Sequence, residues 1–269
     1  TLMIVSTSLV GDYFKEHDRH KFMGYQSAFM AIGGVFFVIG GGFLSDINWR
    51  FPFGIYFIGL VLLPFVILFL KEKKIESTQE ELSIDIGKNM LVVYFLAFIY
   101  MLLFFILPTQ IPFLLIEKFE ASGKMAGTVI ATAFFCNALG AIAFSKLKKY
   151  LNFIAIYLIG ITLMALGFSL VGVINHIYFF FITSPILGFA GGIMMTNATA
   201  WMLSKTSHEK RVKSSGYFTS AIFLGQFLSP IVFHPFLDFL EIQDFFLYIG
   251  LSLFFVSFIS FSILKIKQK

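Results

Sequence analysis

Long apolar runs recur along this whole sequence, and short charged segments separate them. Most have about 20 residues, the length that a helix needs to cross ~30 Å of hydrocarbon. Of the 269 residues 58% are hydrophobic and only 13% are charged, which gives more apolar surface than one water-soluble core could bury. A backbone inside a bilayer must also satisfy its own hydrogen bonds, as a helix does. The sequence therefore predicts an all-α membrane protein that crosses the bilayer several times.

The runs also set the boundaries of the predicted helices. The first run, 1–11, is too short to span, and we interpret it as the end of a helix that begins outside the sequence. The longest polar stretch, 71–89, is the predicted linker, so we divide the chain into residues 1–70, a central loop 71–89 and residues 90–269. Complete spans are predicted at 22–44, 51–70, 90–116, 124–144, 151–173, 178–203, 214–237 and 244–264.

Basic residues collect on one side of the predicted spans. The loops 12–21, 71–89, 145–150 and 204–213, with the C-terminal tail, hold 17 Lys and Arg, whereas the opposite side holds three. The positive-inside rule then places the central loop and the C-terminus in the cytoplasm. Basic loops that face anionic lipid account for the net charge of +5, so we expect no nucleic-acid partner.

An internal repeat relates two parts of the chain. Residues of the same type recur at a constant offset of 192 residues, without a gap. Matched charged residues in one register are unlikely to arise by chance, so we interpret the pattern as an internal duplication. The pairs are Arg19/Arg211, Lys21/Lys213, Gly24/Gly216, Tyr25/Tyr217, Gly33/Gly225, Asp46/Asp238, Phe53/Phe245 and Tyr56/Tyr248.

The repeat also predicts how a complete chain is organised. Residue 1 is equivalent to residue 193, inside the predicted span 178–203. The first part then lacks the equivalents of about three and a half helices, or roughly 100 residues. With those helices added, the expected architecture is two pseudo-symmetric six-helix halves, of which the N-terminal half is truncated here.

Several short motifs resemble those of the major facilitator superfamily of secondary transporters. The segment 19–24 is similar to the basic loop that enters family helix 5, and 49–53 to the turn between helices 5 and 6. The segments 197–201, 211–216 and 225–230 resemble the helix 10–11 region of bacterial sugar-efflux and multidrug-efflux members. The resemblance implies that the chain corresponds to family helices 4–12, and that Arg19, Gly24, Arg211 and Gly216 belong to cytoplasmic loop motifs.

One departure from the family pattern affects the direction of transport. The antiporter signature of helix 5 has a Gly-Pro pair between outer glycines, and this chain has Phe37 and Val38 at that place, between Gly33 and Gly41-Gly42. Export therefore remains one expectation, and uptake of a nutrient or metabolite remains the other.

Glycines in the predicted spans need a reason, because each lowers helix propensity by about 1 kcal/mol relative to Ala. Close helix packing in lipid is one reason, and a rocking hinge or gate is the other. We predict gating or hinge roles for Gly33, Gly41, Gly42, Gly225 and Pro230.

Four amide side chains fall deep in the predicted spans, where an unpaired amide costs several kcal/mol. The resemblance implies that the helices which carry them line a central cavity. We predict a substrate cavity that contains Gln110, Asn137, Asn197 and Gln226 together with Trp201, the alternative being hydrogen bonds between helices. Pro108 and Pro112 flank Gln110 and predict an interrupted helix, which often marks a transport site.

No nucleotide, catalytic or metal motif occurs in the sequence. We expect no enzyme activity, no cofactor and no metal. The predicted function is that of a secondary active transporter that moves a small solute by alternating access, through proton-coupled efflux of a drug-like or sugar-like compound. We expect it to act as a monomer in the lipid bilayer with a solute and protons as partners. The alternatives are an uptake transporter and a non-transporting truncated membrane protein.

Overall fold

The structure is a computed structural model that describes residue 10 and residues 16–69, 88–207 and 210–267. The described residues form α-helices with two 3₁₀ segments, Phe51–Phe57 and Ile177–Phe179, and no strand. The prediction of an all-α membrane protein is confirmed. The helices are α1 (Glu16–Ile47), α2 (Ile58–Phe69), α3 (Lys88–Phe104), α4 (Ile106–Phe119), α5 (Gly123–Leu147), α6 (Phe153–Val173), α7 (Phe180–Ser204), α8 (Arg211–Leu237) and α9 (Ile242–Lys267).

Seven helical segments in the described residues are long and apolar enough to cross a membrane. They are Lys21–Ile47, Met90–Phe119, Gly123–Leu147, Phe153–Val173, Ile177–Ser204, Arg211–Leu237 and Ile242–Ser262. Each contains most of one predicted span. Of the predicted central loop, 71–87 lies outside the described residues, and residues 88 and 89 already belong to α3.

The predicted span at 51–70 has a different start from the others. Residues Phe51–Phe57 form a 3₁₀ helix, and α2 follows with 12 residues. Pro52 lies at the beginning of this 3₁₀ segment, where a missing N–H costs least, and Gly54 lowers the α-helical propensity of the segment. The first full α-turn is therefore delayed until Ile58.

A break divides the predicted span 90–116 into α3 and α4, with a turn at Phe105. Pro108 has no N–H to donate to the carbonyl of Phe104, so the helical ladder is interrupted one turn before the proline. Pro108 then occupies the first turn of α4, where its missing N–H is tolerated. The hydroxyl of Thr109 donates to the carbonyl oxygen of Phe105 at 2.7 Å and stabilises this turn.

Small residues set the closest helix contacts. On α1, a methyl group built on Gly24 would lie 2.8 Å from the carbonyl oxygen of Ala141, and one on Gly42 would lie 3.0 Å from that of Gly123. These two contacts lie at opposite ends of α1, so the helix runs antiparallel to α5 along its length. Such close approach is the usual way to hold helices together in lipid, where the hydrophobic effect does not drive association.

Glycines also set the closest contacts between other pairs of helices. Gly188 and Gly192 of α7 contact the backbone of α5 at Ala133 and Asn137. Gly172 of α6 contacts Leu247 of α9, where a methyl group would lie 2.6 Å from the backbone nitrogen. Large side chains fill the space between these contacts, including Tyr100, Phe168, Phe180 and Phe246.

Candidate functional site

A cavity of about 700 Å³ lies between α1 and the helices of the C-terminal part of the chain. Residues of α1 form one wall, from Ser27 to Ser45. Residues of α3, α4, α5 and α8 form the rest, with Met195 from α7. The volume falls within the range of about 300 to 1,000 Å³ that is typical of small-molecule sites.

The helix break places four of the lining residues on one face. Phe104, Phe105, Pro108 and Pro112 follow each other at helical spacing across the turn and all line the cavity. The prolines also remove two N–H donors from this wall. The interruption that the prolines predict is therefore part of the cavity wall.

The lining is mostly apolar and aromatic. Among the described residues that line the cavity, none is an acid, a base or a histidine. Two of its polar groups bond within the protein: the hydroxyl of Tyr100 donates to the carbonyl oxygen of Gly191 at 3.0 Å, and that of Ser45 to the carbonyl oxygen of Gly42 at 2.8 Å. The cavity thus offers few polar groups to a ligand.

Asn137 and Gln226 are the two predicted amides that line the cavity. Both are partly buried, and neither side chain forms a hydrogen bond within the described part of the chain. An amide carries two donors and one acceptor oxygen. Each can therefore donate to and accept from a bound molecule.

The other three predicted cavity residues lie elsewhere. Gln110 is 5% exposed and is not among the lining residues, although its neighbours Pro108 and Pro112 are. Asn197 is fully buried and its amide donates to the carbonyl oxygen of Phe153 at 3.0 Å, which joins α7 to α6. Trp201 stacks on the ring of Phe153 with 5.6 Å between the ring centres. Asn197 and Trp201 thus contact a neighbouring helix.

The predicted hinge residues occupy two kinds of environment. Gly42 is packed against α5 and also lines the cavity, and Gly225 on α8 contacts the backbone of α3 at Phe98. Methyl groups on Gly33 and Gly41 would meet no atom within 4 Å, and Gly41 lines the cavity. Pro230 lies inside α8 and cannot donate to the carbonyl of Gln226, one turn earlier.

The loop-motif residues lie at the ends of the two repeat helices. Arg19 belongs to α1, and its side chain lies outside what the structure describes. Arg211 begins α8 and is 9% exposed. Gly24 is packed against α5, whereas a methyl group on Gly216 would lie in open space.

The repeated glycines show an exchange of roles between the copies. Gly24 is packed and its equivalent Gly216 is open, while Gly33 is open and its equivalent Gly225 is packed. The two copies therefore use different faces of equivalent helices for their closest contacts. Sequence identity between the copies could not indicate this difference.

Asp46 forms a contact that the sequence did not predict. Its carboxylate accepts a hydrogen bond of 3.1 Å from the backbone N–H of Lys124, in the first turn of α5. Carboxylates are favoured at helix N-termini because unpaired N–H groups and the helix dipole both attract negative charge. The contact joins the end of α1 to the start of α5, beside the cavity-lining residues Ser45 and Gly123.

Several lining residues carried no sequence signal. Ser27, Ser45, Tyr100 and Phe223 lie in no recognisable motif. For Phe104 and Phe105 the sequence did contain a usable signal, namely Pro108, which lies one turn after them. Residues at that spacing share a helix face.

Membrane-crossing helices packed around a cavity of solute size define a polytopic membrane protein with an internal chamber. A family model described as Major Facilitator Superfamily matches residues 1–92 and 93–269. The chain belongs to the Major Facilitator Superfamily, whose members are secondary transporters rather than enzymes. The resemblance drawn from the sequence motifs is thereby confirmed. Comparison with curated proteins gives no significant match.

Proposed function

We propose that the protein exports a small solute across a bacterial inner membrane by alternating access, driven by the proton gradient. The observation that carries the proposal is the cavity between α1 and the C-terminal part of the chain, which contains two amides with no hydrogen-bond partner among the described residues. Asn137 and Gln226 bind the solute through hydrogen bonds. Family membership and the loop motifs that resemble efflux members support transport as the activity.

In this proposal, α1 belongs to one half of the transporter and residues 90–269 form the other. The two halves meet where α1 lies against α5, through Gly24 at one end and Gly42 with Asp46 at the other. Gly41, Gly42, Gly225 and Pro230 allow the helices to shift while the bundle stays assembled. Separation at one end and then at the other exposes the cavity to each side in turn.

Proton coupling requires a group that changes its protonation. The described lining residues include no acid and no histidine, so the proton is carried by a group outside this lining. The solute site and the proton site are then separate, and coupling passes through the change in helix packing.

The central loop and the C-terminus lie in the cytoplasm, and the transporter acts as a monomer.

Export from cells tests the proposal directly. Cells that express the protein are loaded with a panel of labelled small solutes, and the rate of loss is compared with that of vector-only cells. We expect faster loss of at least one solute and a return to the control rate when a protonophore collapses the gradient. Continued export under the protonophore would contradict proton coupling.

The same measurement separates the alternatives. Greater accumulation of a solute in expressing cells would establish uptake, which the loss of the Gly-Pro pair at Phe37 and Val38 favours. Equal rates for every solute, with the protein present in the membrane, would establish a non-transporting membrane protein.

A further inference from the structure

The described lining of the cavity lacks the groups that a charged ligand needs. An ion that leaves water for an apolar site loses its hydration, and only a countercharge or several hydrogen bonds offset that loss. None of the described residues that line this cavity carries a charge, and most of the lining area comes from apolar side chains. A cation or an anion would therefore be bound much more weakly than a neutral molecule of the same shape.

The same described lining offers fewer polar groups than a sugar needs. A sugar carries many hydroxyl groups, and each that is buried without a partner weakens binding. Among the described lining residues, the hydroxyls of Tyr100 and Ser45 already donate to backbone carbonyls and can only accept from a ligand, which leaves Ser27, Asn137 and Gln226 as the side chains able to donate to one. Three such side chains match a ligand with one or two polar groups better than a sugar.

Aromatic and thioether side chains supply the remaining contacts. Phe104, Phe134 and Phe223 can stack against a flat ring, and Met101 and Met195 can adapt to its outline. From these observations we infer that the ligand is an uncharged, largely apolar aromatic compound with one or two hydrogen-bonding groups, held by the amides of Asn137 and Gln226. This inference rests on the proposed transport function, and it selects one substrate class from the drug-like and sugar-like compounds that the sequence predicted.

Two dyes with the same ring system provide a matched test. Nile red is neutral, and Nile blue carries one positive charge on the same benzophenoxazine frame. A labelled thiogalactoside serves as the sugar. Binding is measured with the purified protein in lipid nanodiscs, with empty nanodiscs subtracted, and export is measured in expressing cells against vector-only cells. We expect at least about tenfold tighter binding of Nile red than of Nile blue, and no measurable binding of the sugar.

A substitution tests whether the missing charge sets this preference. Gln226→Glu places a carboxylate in the lining with almost no change in shape, so Nile blue should gain affinity relative to Nile red by about tenfold or more. Gln226→Leu removes the amide without adding a charge, so it should weaken Nile red while leaving Nile blue weak. If neither variant folds, the comparison of the two dyes on the wild-type protein still decides.

The outcomes distinguish the ligand class from the transport function. Tighter binding or faster export of Nile blue or the sugar than of Nile red would overturn the ligand class and leave transport standing. Binding of Nile red, together with equal rates of loss in expressing and vector-only cells for every solute tested, would contradict the transport proposal and support the ligand class. Absence of Nile red binding would overturn the ligand class, whichever solute is exported.

Discussion

The paired glycines offer a test at the level of single residues, because each pair provides its own control. In Gly24→Ala, the new methyl group would lie 2.8 Å from a backbone oxygen of α5, which cannot move without shifting the helix. Overpacking of this kind costs about 1 to 3 kcal/mol. In Gly216→Ala the methyl group meets open space, and the higher helix propensity of Ala stabilises the protein by up to about 1 kcal/mol. Thermal unfolding of the purified proteins should show a lower midpoint for the first variant only.

In the second pair, Gly33 and Gly225, the packed glycine is the one in the later copy of the repeat. Gly225→Ala forces α8 away from the backbone of α3 at Phe98 and should lower the unfolding midpoint, whereas Gly33→Ala should leave it unchanged or raise it. Equal effects within either pair would contradict the exchange of packing faces between the two copies.

The amides show what the sequence could and could not predict at this scale. Their depth in the membrane follows from the length of each apolar run, and this identified all four as unusual. The side of the helix on which each amide lies does not follow from that length. Gln110 is two residues from the lining residue Pro108, and Asn197 is two residues from the lining residue Met195. Two residues along a helix correspond to a rotation of about 200°, so each amide lies on a different side of its helix from its lining neighbour. In a helix that is apolar on every side, no amphipathic pattern distinguishes the cavity face from a helix contact.

At the level of helices, the contact between α1 and α5 depends on Asp46. In Asp46→Ala, the backbone N–H of Lys124 loses its acceptor and the first turn of α5 loses a favourable charge. We expect a loss of up to about 1 kcal/mol, seen as a lower unfolding midpoint of the purified protein.

Two controls separate this contact from a general effect of charge. Asp46→Asn keeps an acceptor oxygen and should retain part of the stability. Asp238→Ala changes the repeat-equivalent residue, whose side chain forms no hydrogen bond within the described residues, and should have little effect. If Asp238→Ala lowered the midpoint as much as Asp46→Ala, the role of Asp46 at the α5 terminus would be refuted.

Helix positions were the most predictable elements, because a run of about 20 apolar residues must cross the membrane as a helix. The details within a run depend on backbone chemistry that hydropathy does not record. The break at Phe105 comes one turn before Pro108, since the lost hydrogen bond belongs to the carbonyl of Phe104. The 3₁₀ start at Phe51 similarly follows from Pro52 and Gly54.

Orientation is a property of the whole molecule, and two exposed loop residues can report it. Tyr150 is 86% exposed in the loop after α5, and Phe239 is 87% exposed in the loop after α8, at the opposite end of the bundle. Cys136 is the single cysteine of the sequence, and replacing it with alanine removes the native thiol. In this Cys136→Ala background, a membrane-impermeant maleimide should label Phe239→Cys in intact cells. It should label Tyr150→Cys only after the cells are permeabilised, because the proposed orientation places the basic loop in the cytoplasm.

The reverse labelling pattern would contradict the orientation that the basic loops predict. Labelling of both positions in intact cells would show that the protein lacks one fixed orientation in the membrane.

The arrangement of the whole bundle could be predicted only in part. The repeat and the charge pattern predict two related halves and their orientation, and both stay predictions. Nothing in the sequence indicated that α1 would lie along α5, because that contact joins Gly24 to Ala141 and Gly42 to Gly123 across the predicted linker. Apolar and small residues in lipid fit many partners, so the pairing depends on the complete packing.

Alternating access requires α1 and α5 to separate at the Asp46 end during each transport cycle. A disulfide can prevent this, because the hydroxyl oxygen of Ser45 lies 2.9 Å from the position of a methyl group on Gly123. That spacing places the side chains of Ser45→Cys and Gly123→Cys within reach of a disulfide, and the Asp46 carboxylate, which has an oxygen 2.8 Å from the same methyl position, must move aside. The decisive measurement is solute export by this double variant, in a Cys136→Ala background, before and after reduction. The single-cysteine variants serve as controls, and thiol alkylation monitors disulfide formation. While the disulfide is intact, we predict that the export rate falls to that of vector-only cells, and that it recovers after reduction. An undiminished export rate with the disulfide fully formed would contradict alternating access at this contact.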